Sequence, residues 1–239
     1  MRIIRHVLGL LLVLGSLNAA ANHVLGGNIS YTCLGGDTYG VTLTIYKDCL
    51  GATPATTQEN LFFIPNGCTL PFSSNLPLVD VVEISDLCAT ELANSSCNGG
   101  LNPGTQELTY YDEVVLDPGC SWEISWAAGD WNYFINMDNG MLPTAYFLTT
   151  VDPTVDACAT SVTYDALPVP YYCTGDPVNY SVEVDNPEGY DLVMSLACPL
   201  TTGGVDAPTI SACTEPIPGL TFDPVSGEID FISPALFGN

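Results

Sequence analysis

Three carboxylates surround a turn glycine between residues 185 and 191. Asp185, Glu188 and Asp191 flank Gly189 in the segment DNPEGYD. Calcium takes several oxygen ligands at about 2.3–2.6 Å, and a tight turn can gather carboxylates around one ion. The spacing is not that of an EF-hand loop, and Asn-Pro-Glu-Gly also suits a plain hairpin turn. Calcium is therefore the candidate cation here, with a bare turn as the alternative.

Ten cysteines form the second reactive set. An even number of cysteines in an exported chain indicates disulfides. Zinc is disfavoured because no C-x-x-C pair occurs and histidines are scarce. Cys88 and Cys97 enclose eight residues, which predicts a local bridge between them. Cys158 and Cys173 are the second predicted pair, because that bridge would hold the connection between two domains.

A group of aromatic side chains offers a third kind of chemistry. Trp131, Tyr133 and Phe134 precede a turn at 138–140, Asp-Asn-Gly. Exposed aromatic rings can stack on sugars, so these three residues are a candidate carbohydrate platform. Packing in a core or between domains is the alternative use of the same rings.

The sequence lacks the parts of most active sites. Nucleophilic triads need a histidine as base, and His23 is the only histidine beyond the first 21 residues. No glycine-rich loop opens a helix to cradle a phosphate. Acid pairs of the kind that glycosidases use are non-specific among 27 acidic residues. We therefore expect no enzyme, and we assign no catalytic or cofactor-binding residue.

The first 21 residues have the order of a secretory signal peptide. Arg2 and Arg5 precede an apolar run at 7–17, and three alanines follow at 19–21. The run is shorter than the roughly 20 apolar residues that span a bilayer. The sequence therefore predicts an exported chain, secreted or at the cell surface, that is not an integral membrane protein.

The charge is strongly one-sided. The chain has three lysines and arginines against 27 acids, a net charge of −24, and Lys47 is the only one of the three beyond the signal segment. Nucleic-acid binding depends on lysine and arginine displacing counterions. Anionic membrane surfaces attract basic segments and repel acidic ones. Nucleic acid is excluded as a partner.

Period-two alternation is the main structural signal. Residues 40–46 and 121–126 alternate apolar and polar side chains, as half-buried antiparallel strands do. Trp122 and Trp126 fall on the same face as Ile124, so we expect both to be core residues. The first segment places Val41, Leu43 and Ile45 together. Further strands are expected at 27–33, 60–64, 79–84, 107–116, 131–137, 145–151, 178–184, 192–196, 219–222 and 228–232.

Short strands separated by glycine and proline turns predict an all-β fold of two immunoglobulin-like β-sandwich domains. The first is expected at 22–164 and the second at 165–239, with the proline-punctuated stretch 167–170 near its start. About 70 residues are fewer than the roughly 100 of such a domain. The second domain is therefore expected to be incomplete, either as part of a longer chain or completed by a donated strand.

Several stretches resemble a known family. At 23–31 (HVLGGNISY) and 46–49 (YKDC) the sequence resembles the N-terminal region of large Bacteroidota surface proteins that carry a gliding-motility-associated C-terminal domain and are exported by the type IX system. Residues 51–150 match that region only loosely. The last stretch looks like an immunoglobulin-like (cadherin-like) repeat. The stretches that carry the resemblance are 23–31 (HVLGGNISY), 46–49 (YKDC), 168–173 (PVPYYC), 177–180 (PVNY), 192–196 (LVMSL) and 218–229 (PGLTFDPVSGEI).

The resemblance implies an extracellular adhesin or surface-assembly segment without catalysis, whose partners are neighbouring domains or subunits. A carbohydrate-binding module that contacts glycans through surface aromatics is the alternative. Family members often carry adjacent cysteines near the position of 126–131, and this sequence has none there. The family's disulfide pairing is therefore not carried over.

Overall fold

The computed structural model describes residues 24–51, 55–130, 144–168, 172, 175–201, 203–206 and 219–233. These residues form β-strands and two short 3-10 helices, and they contain no α-helix. The predicted all-β class is thus confirmed, while the immunoglobulin-like identity stays a prediction. No helix in these ranges is long and apolar enough to cross a membrane.

Seven long strands form the first unit, which we call the sandwich. They are β1 (Val24–Gly35), β2 (Thr38–Asp48), β3 (Thr57–Pro65), β4 (Phe72–Glu83), β5 (Thr105–Val115), β6 (Trp122–Asp130) and β7 (Thr144–Val151). The 3-10 helices Leu92–Asn94 and Ser96–Asn98 lie in the loop between β4 and β5.

The seven strands form one antiparallel sheet in the order β1-β2-β5-β4-β3-β6-β7. Strand β4 links two layers of this sheet, one formed with β1, β2 and β5 and the other with β3, β6 and β7. Its first part pairs with β3, and its second part, from Leu78 onward, pairs with β5. A register shift at Leu78 marks the change, as expected where a strand turns the corner between two layers. Gly27 of β1 packs against Phe147 of β7, which closes the opposite side.

The core lies between the two layers. Val41, Leu43 and Ile45 are at most 3% exposed, as their alternation predicted. Trp122 and Trp126 are equally buried, so their predicted core role is confirmed. The Trp126 ring stacks on Phe147 at 5.4 Å between centroids. The same inward row of β2 ends at Lys47, which is 5% exposed.

Seven short strands form the second unit. They are β8 (Thr163–Tyr164), β9 (Pro177–Ser181), β10 (Val184–Asp185), β11 (Leu200–Thr201), β12 (Val205–Asp206), β13 (Thr221–Phe222) and β14 (Glu228–Ile232). They form a three-stranded sheet β13-β14-β9 and two two-stranded ladders, β10-β8 and β11-β12. Pairing thus joins β8 to the second unit. The predicted domain boundary after residue 164 stays a prediction.

Two predicted strands come out differently, and a third is not tested. The strand expected at 178–184 is split into β9 and β10, because Glu183 has a positive φ of 42° that interrupts extended backbone. The segment 192–196 is not paired as a strand, although its side chains alternate between exposed and half-buried. The strand expected at 131–137 lies outside the described residues.

The connection between the units runs along the free edge of β1. The Ser161 amide donates to the Tyr31 carbonyl at 2.9 Å, and the Tyr31 amide donates to Ser161 Oγ at 2.8 Å. The Tyr39 hydroxyl donates to the Ala157 carbonyl at 3.3 Å. A disulfide joins Cys33 of β1 to Cys158. Backbone groups at a sheet edge need partners, and this segment supplies them to β1.

Candidate ligand-binding cleft

The predicted calcium turn does not gather its carboxylates. The described residues contain no group of three acidic, histidine or cysteine side chains that could hold a metal ion. Glu188 instead accepts a hydrogen bond from the Thr160 amide at 2.9 Å, and Asp185 belongs to β10. The structure thus does not bring Asp185, Glu188 and Asp191 together, and their assignment to a cation stays a prediction. The turn fastens the second unit to the connection.

A neighbouring contact has the same effect. The Tyr190 hydroxyl donates to the Asp156 carboxylate. This hydrogen bond, together with one from the Cys158 amide, lowers the pKa of Asp156. Asp156 and Glu188 thus both accept hydrogen bonds from neighbouring protein groups, and of these two only Glu188 was a predicted metal ligand.

Both predicted disulfides are wrong. Cys97 is bonded to Cys49, and Cys88 is free and exposed. Cys158 is bonded to Cys33 and not to Cys173, which lies outside the described residues. A third bridge joins Cys68 to Cys120, and Cys198 is also disulfide-bonded.

The pairing of Cys97 has a tertiary cause. The Cys49 amide, at the end of β2, donates to the Gly104 carbonyl at 3.0 Å and so brings the loop after β4 to Cys49. A Cβ atom on Gly104 would lie 2.6 Å from Cys97 Sγ, so only glycine leaves room for the bridge. The short spacing between Cys88 and Cys97 carries no information about this approach.

The predicted aromatic platform of Trp131, Tyr133 and Phe134 lies outside the described residues, as does His23. Another aromatic site is present within them. A cavity of about 550 Å³ opens between the sandwich and the second unit. Four tyrosines line it, one from each of four strands, and we call it the tyrosine cleft: Tyr46 of β2, Tyr146 of β7, Tyr164 of β8 and Tyr180 of β9.

The alternation of the sandwich strands explains why tyrosines face this cleft. Tyr46 lies between the inward residues Ile45 and Lys47, so its side chain is on the outer face of β2. Gly26 pairs with Tyr46 across the β1–β2 ladder and leaves space over the ring. Tyr146 has the same outward position in β7, between the buried Ala145 and Phe147.

The lining is otherwise apolar or neutral. Ile29, Phe147 and Val182 contribute apolar surface, while Asn28 and Thr149 contribute polar groups. No aspartate, glutamate, lysine, arginine or histidine lines the cleft within the described residues. In a chain with 27 acids, an uncharged cavity of this size is a distinct chemical environment.

The hydroxyls of the cleft tyrosines are available for a ligand. Five of the six other described tyrosines donate to a protein acceptor; Tyr110, for example, donates to the Ala55 carbonyl at 2.9 Å. None of the four cleft hydroxyls has a hydrogen-bond partner among the described residues. Tyr46, Tyr146 and Tyr180 are half-buried and Tyr164 is 47% exposed, so a ligand in the cavity can hydrogen-bond to these hydroxyls without displacing a protein partner.

The surroundings raise the pKa of two of the cleft tyrosines, Tyr46 and Tyr180. Burial raises the pKa of Tyr46 to about 12, with smaller contributions from Glu107 and Tyr180. Burial also raises the pKa of Tyr180, and Glu183 adds to the effect. Both side chains therefore present neutral hydroxyl groups at any physiological pH.

Cationic side chains are nearly absent from the described part of the chain. It contains no arginine or histidine, and Lys47 is its one lysine. Burial lowers the pKa of Lys47, although Asp48 partly opposes this shift. The Lys47 side chain faces the core side of β2 and does not line the cleft. An anionic ligand would find no counter-charge there.

A second cavity, which we call the apolar groove, lies within the second unit and has a volume of about 330 Å³. Leu192, Met194 and Leu196 line it, and these are the half-buried positions of the extended segment described above. Val193 points the other way and is 88% exposed. The Met194 amide donates to the Pro224 carbonyl at 2.9 Å.

Comparison with known proteins identifies no relative: no family model matches the chain, and no curated protein or solved structure is significantly similar to it. Sequence reasoning missed the four cleft tyrosines because they are far apart in the chain. One signal in the sequence could have located the site: Tyr46 falls on the outer face of β2, whose inner face is buried.

Proposed function

We propose that this chain is a non-enzymatic adhesion or structural module of a bacterial cell-surface protein, displayed outside the cell. The observation that carries the proposal is the clamp between its two units. The Cys33–Cys158 disulfide and the pairing of Ser161 with Tyr31 hold the second unit to the sandwich. Such a clamp suits a module that transmits force or presents a surface.

The disulfides support the location. Three bridges, two within the sandwich and one from β1 to the connection, need an oxidising compartment to form and persist. The segment 1–21 resembles a secretory signal, and the stretches at 23–31 and 46–49 resemble surface proteins exported by the type IX system. Export can be tested directly by expressing the full sequence in a Bacteroidota host. Mass spectrometry of the secreted protein should find residues 1–21 removed and these bridges formed; retention in the cytoplasm with free thiols would contradict the proposal.

Assembly through strand edges is the narrower form of this function. The connection already covers the edge of β1, so the apolar groove of the second unit is the better acceptor. Its extended segment has the alternation of a strand, and the occupant we propose is a β-strand of a neighbouring subunit. The large negative charge opposes self-association at low salt, and screening relieves this repulsion.

Light scattering coupled to size exclusion tests this assembly. We expect a concentration-dependent oligomer that grows with salt. Met194→Asp should abolish the oligomer because Met194 lines the groove, while Val193→Asp, on the exposed side of the same segment, should not. A strict monomer at high salt and high concentration would contradict strand exchange between copies.

A carbohydrate-binding module is the second candidate. The observation that favours it is the tyrosine cleft, which offers four aromatic rings and unpaired hydroxyls in an uncharged cavity. The residues first considered for this role, Trp131, Tyr133 and Phe134, lie outside the described residues and add nothing to the case.

A further inference from the structure

The cavity between the two units has the size of a small-molecule site. Ligand pockets in proteins are commonly about 300–1,000 Å³, mostly apolar, with a few placed polar groups. The tyrosine cleft measures about 550 Å³ and combines apolar residues with Asn28, Thr149 and Ser161. Its volume and lining therefore suit a ligand larger than a single small ion.

Charge decides the ligand class. The cleft has no cationic side chain among the described residues to attract an anion, and no carboxylate in its lining to hold a cation. A neutral ligand is favoured, because burying an unpaired charge is costly. Hydroxyl-rich neutral molecules also satisfy phenol groups that lack a protein partner.

We propose that the tyrosine cleft binds a neutral saccharide. Tyrosine rings offer apolar faces to the C–H surface of a sugar, and their hydroxyls exchange hydrogen bonds with sugar hydroxyls. Ser161 Oγ already accepts from the Tyr31 amide, so its own proton is available to a ligand oxygen. The inference deepens the carbohydrate-binding alternative above and rests on it.

The cleft lies between the two units, so a bound ligand contacts both of them. Tyr46 and Tyr146 belong to the sandwich, whereas Tyr164 and Tyr180 belong to the second unit. A saccharide in the cleft contacts both units and stabilises their docked arrangement by mass action. Binding therefore strengthens the same junction that the Cys33–Cys158 bridge and the 157–161 segment hold.

The test is a binding titration of the purified disulfide-bonded chain by calorimetry. The ligands are the neutral trisaccharides maltotriose, cellotriose, xylotriose, mannotriose and N-acetyl-chitotriose. Trigalacturonate serves as the anionic comparison, and choline as the cation that aromatic cages favour. We expect at least one neutral trisaccharide to bind and neither charged compound to do so.

The variants remove single hydroxyl groups. Tyr46→Phe and Tyr180→Phe should each weaken saccharide binding about 3- to 10-fold, because each loses one hydrogen bond to the ligand. Tyr46→Ala should weaken it further through lost stacking. Tyr111→Phe is the matched control, since Tyr111 is a tyrosine of neighbouring strand β5 that does not line the cleft and donates to Glu113. Unchanged circular dichroism of the phenylalanine variants shows that they fold.

Three outcomes overturn the inference. Saccharide binding that survives both Tyr46→Phe and Tyr180→Phe would move the site elsewhere and leave the carbohydrate-binding function standing. Binding of choline in place of sugars would make the cleft a cation site. Absence of binding by every neutral trisaccharide up to about 10 mM would remove the carbohydrate function together with the site, while the adhesion proposal would still be decided by its own tests.

Discussion

The sandwich and the second unit differ in how their strands are held. Strands β1 to β7 are 8 to 12 residues long and enclose a continuous core, whereas β8 to β14 have 2 to 5 residues. Among the described residues of the second unit, Val178, Gly227 and Ser233 are the buried ones. Burial of apolar surface is the main driving force of folding. The sandwich therefore supports itself, while the second unit depends on its attachments.

This comparison bears on both proposed sites, the tyrosine cleft between the two units and the apolar groove within the second unit. A unit with little core gains stability from whatever it contacts, so a ligand or a neighbouring strand changes its order more than that of the sandwich. Residues of the second unit line both the tyrosine cleft and the apolar groove, so a ligand in either one would stabilise that unit. The sandwich provides the fixed half of the cleft.

The largest expected effect tests the difference in cores. Leu43→Ala removes a side chain that is 0% exposed and should lower the free energy of unfolding by about 2–5 kcal/mol. Leu192→Ala, at a half-buried position of the second unit, should cost less than about 1 kcal/mol. Urea denaturation with disulfides intact measures both. Equal losses would mean that the second unit has a core of comparable quality.

The next prediction concerns the attachment itself. Replacing Cys33 and Cys158 together by serine should lower the free energy of unfolding by about 2–4 kcal/mol. Hydrogen exchange at the Ser161 amide should accelerate, because its bond to the Tyr31 carbonyl then lacks the neighbouring bridge. Cys88→Ser is the control, since Cys88 is free and exposed. Unchanged exchange in the double variant would show that hydrogen bonds alone hold the junction.

Two adjacent glycines test how tightly β1 packs against β7 in the sandwich. A Cβ atom on Gly27 would lie 2.4 Å from the Thr44 carbonyl oxygen and 2.6 Å from the Phe147 ring, where β1 meets β7. Gly27→Ala should therefore cost about 1–3 kcal/mol by overpacking. Gly26→Ala meets nothing closer than 3.7 Å, at Tyr46, and should leave the thermal midpoint nearly unchanged. A tolerated Gly27→Ala would mean that the closure between β1 and β7 is loose.

The same contrast shows what sequence patterns predict. Alternation located β2 and β6 and their buried faces, because a strand with one side in a core must place Leu43 or Ile124 at every second position. In the second unit the segment 192–196 has that alternation without a ladder. A ladder also needs a partner backbone, and no local pattern reports whether one is in place.

The site was less predictable for a related reason. Asp185, Glu188 and Asp191 are close in sequence, yet the structure does not bring them together, and the Glu188 carboxylate bonds to the connection instead. Cys97 bonds to Cys49, 48 residues away, because the end of β2 approaches the loop after β4. Contacts between distant segments determine both results, and spacing along the chain does not contain them.

The loop between β4 and β5 differs from both the sandwich core and the second unit. Hydrogen bonds to one carboxylate hold it in place of apolar packing. Glu83 accepts hydrogen bonds from the hydroxyls of Ser85 and Ser95 and from Asn98. Ser95 is 0% exposed. These bonds, that of Ser95 first, lower the pKa of Glu83 in spite of its partial burial. The loop thus belongs to the sandwich but is held by polar contacts.

Glu83→Gln should lower the free energy of unfolding by about 1–2 kcal/mol near neutral pH, because the hydrogen bonds lose their charged acceptor. The folded pKa of Glu83 lies below its unfolded value of about 4.3. Its contribution is therefore complete above that value and is lost as pH falls through the folded pKa. The difference between wild type and variant should be constant from about pH 7 to pH 5 and shrink below pH 4. Glu91→Gln, whose carboxylate accepts from Asn102 at an exposed position, is the control. A difference that persists at low pH would mean that the glutamine perturbs packing and that charge has little part in holding the loop.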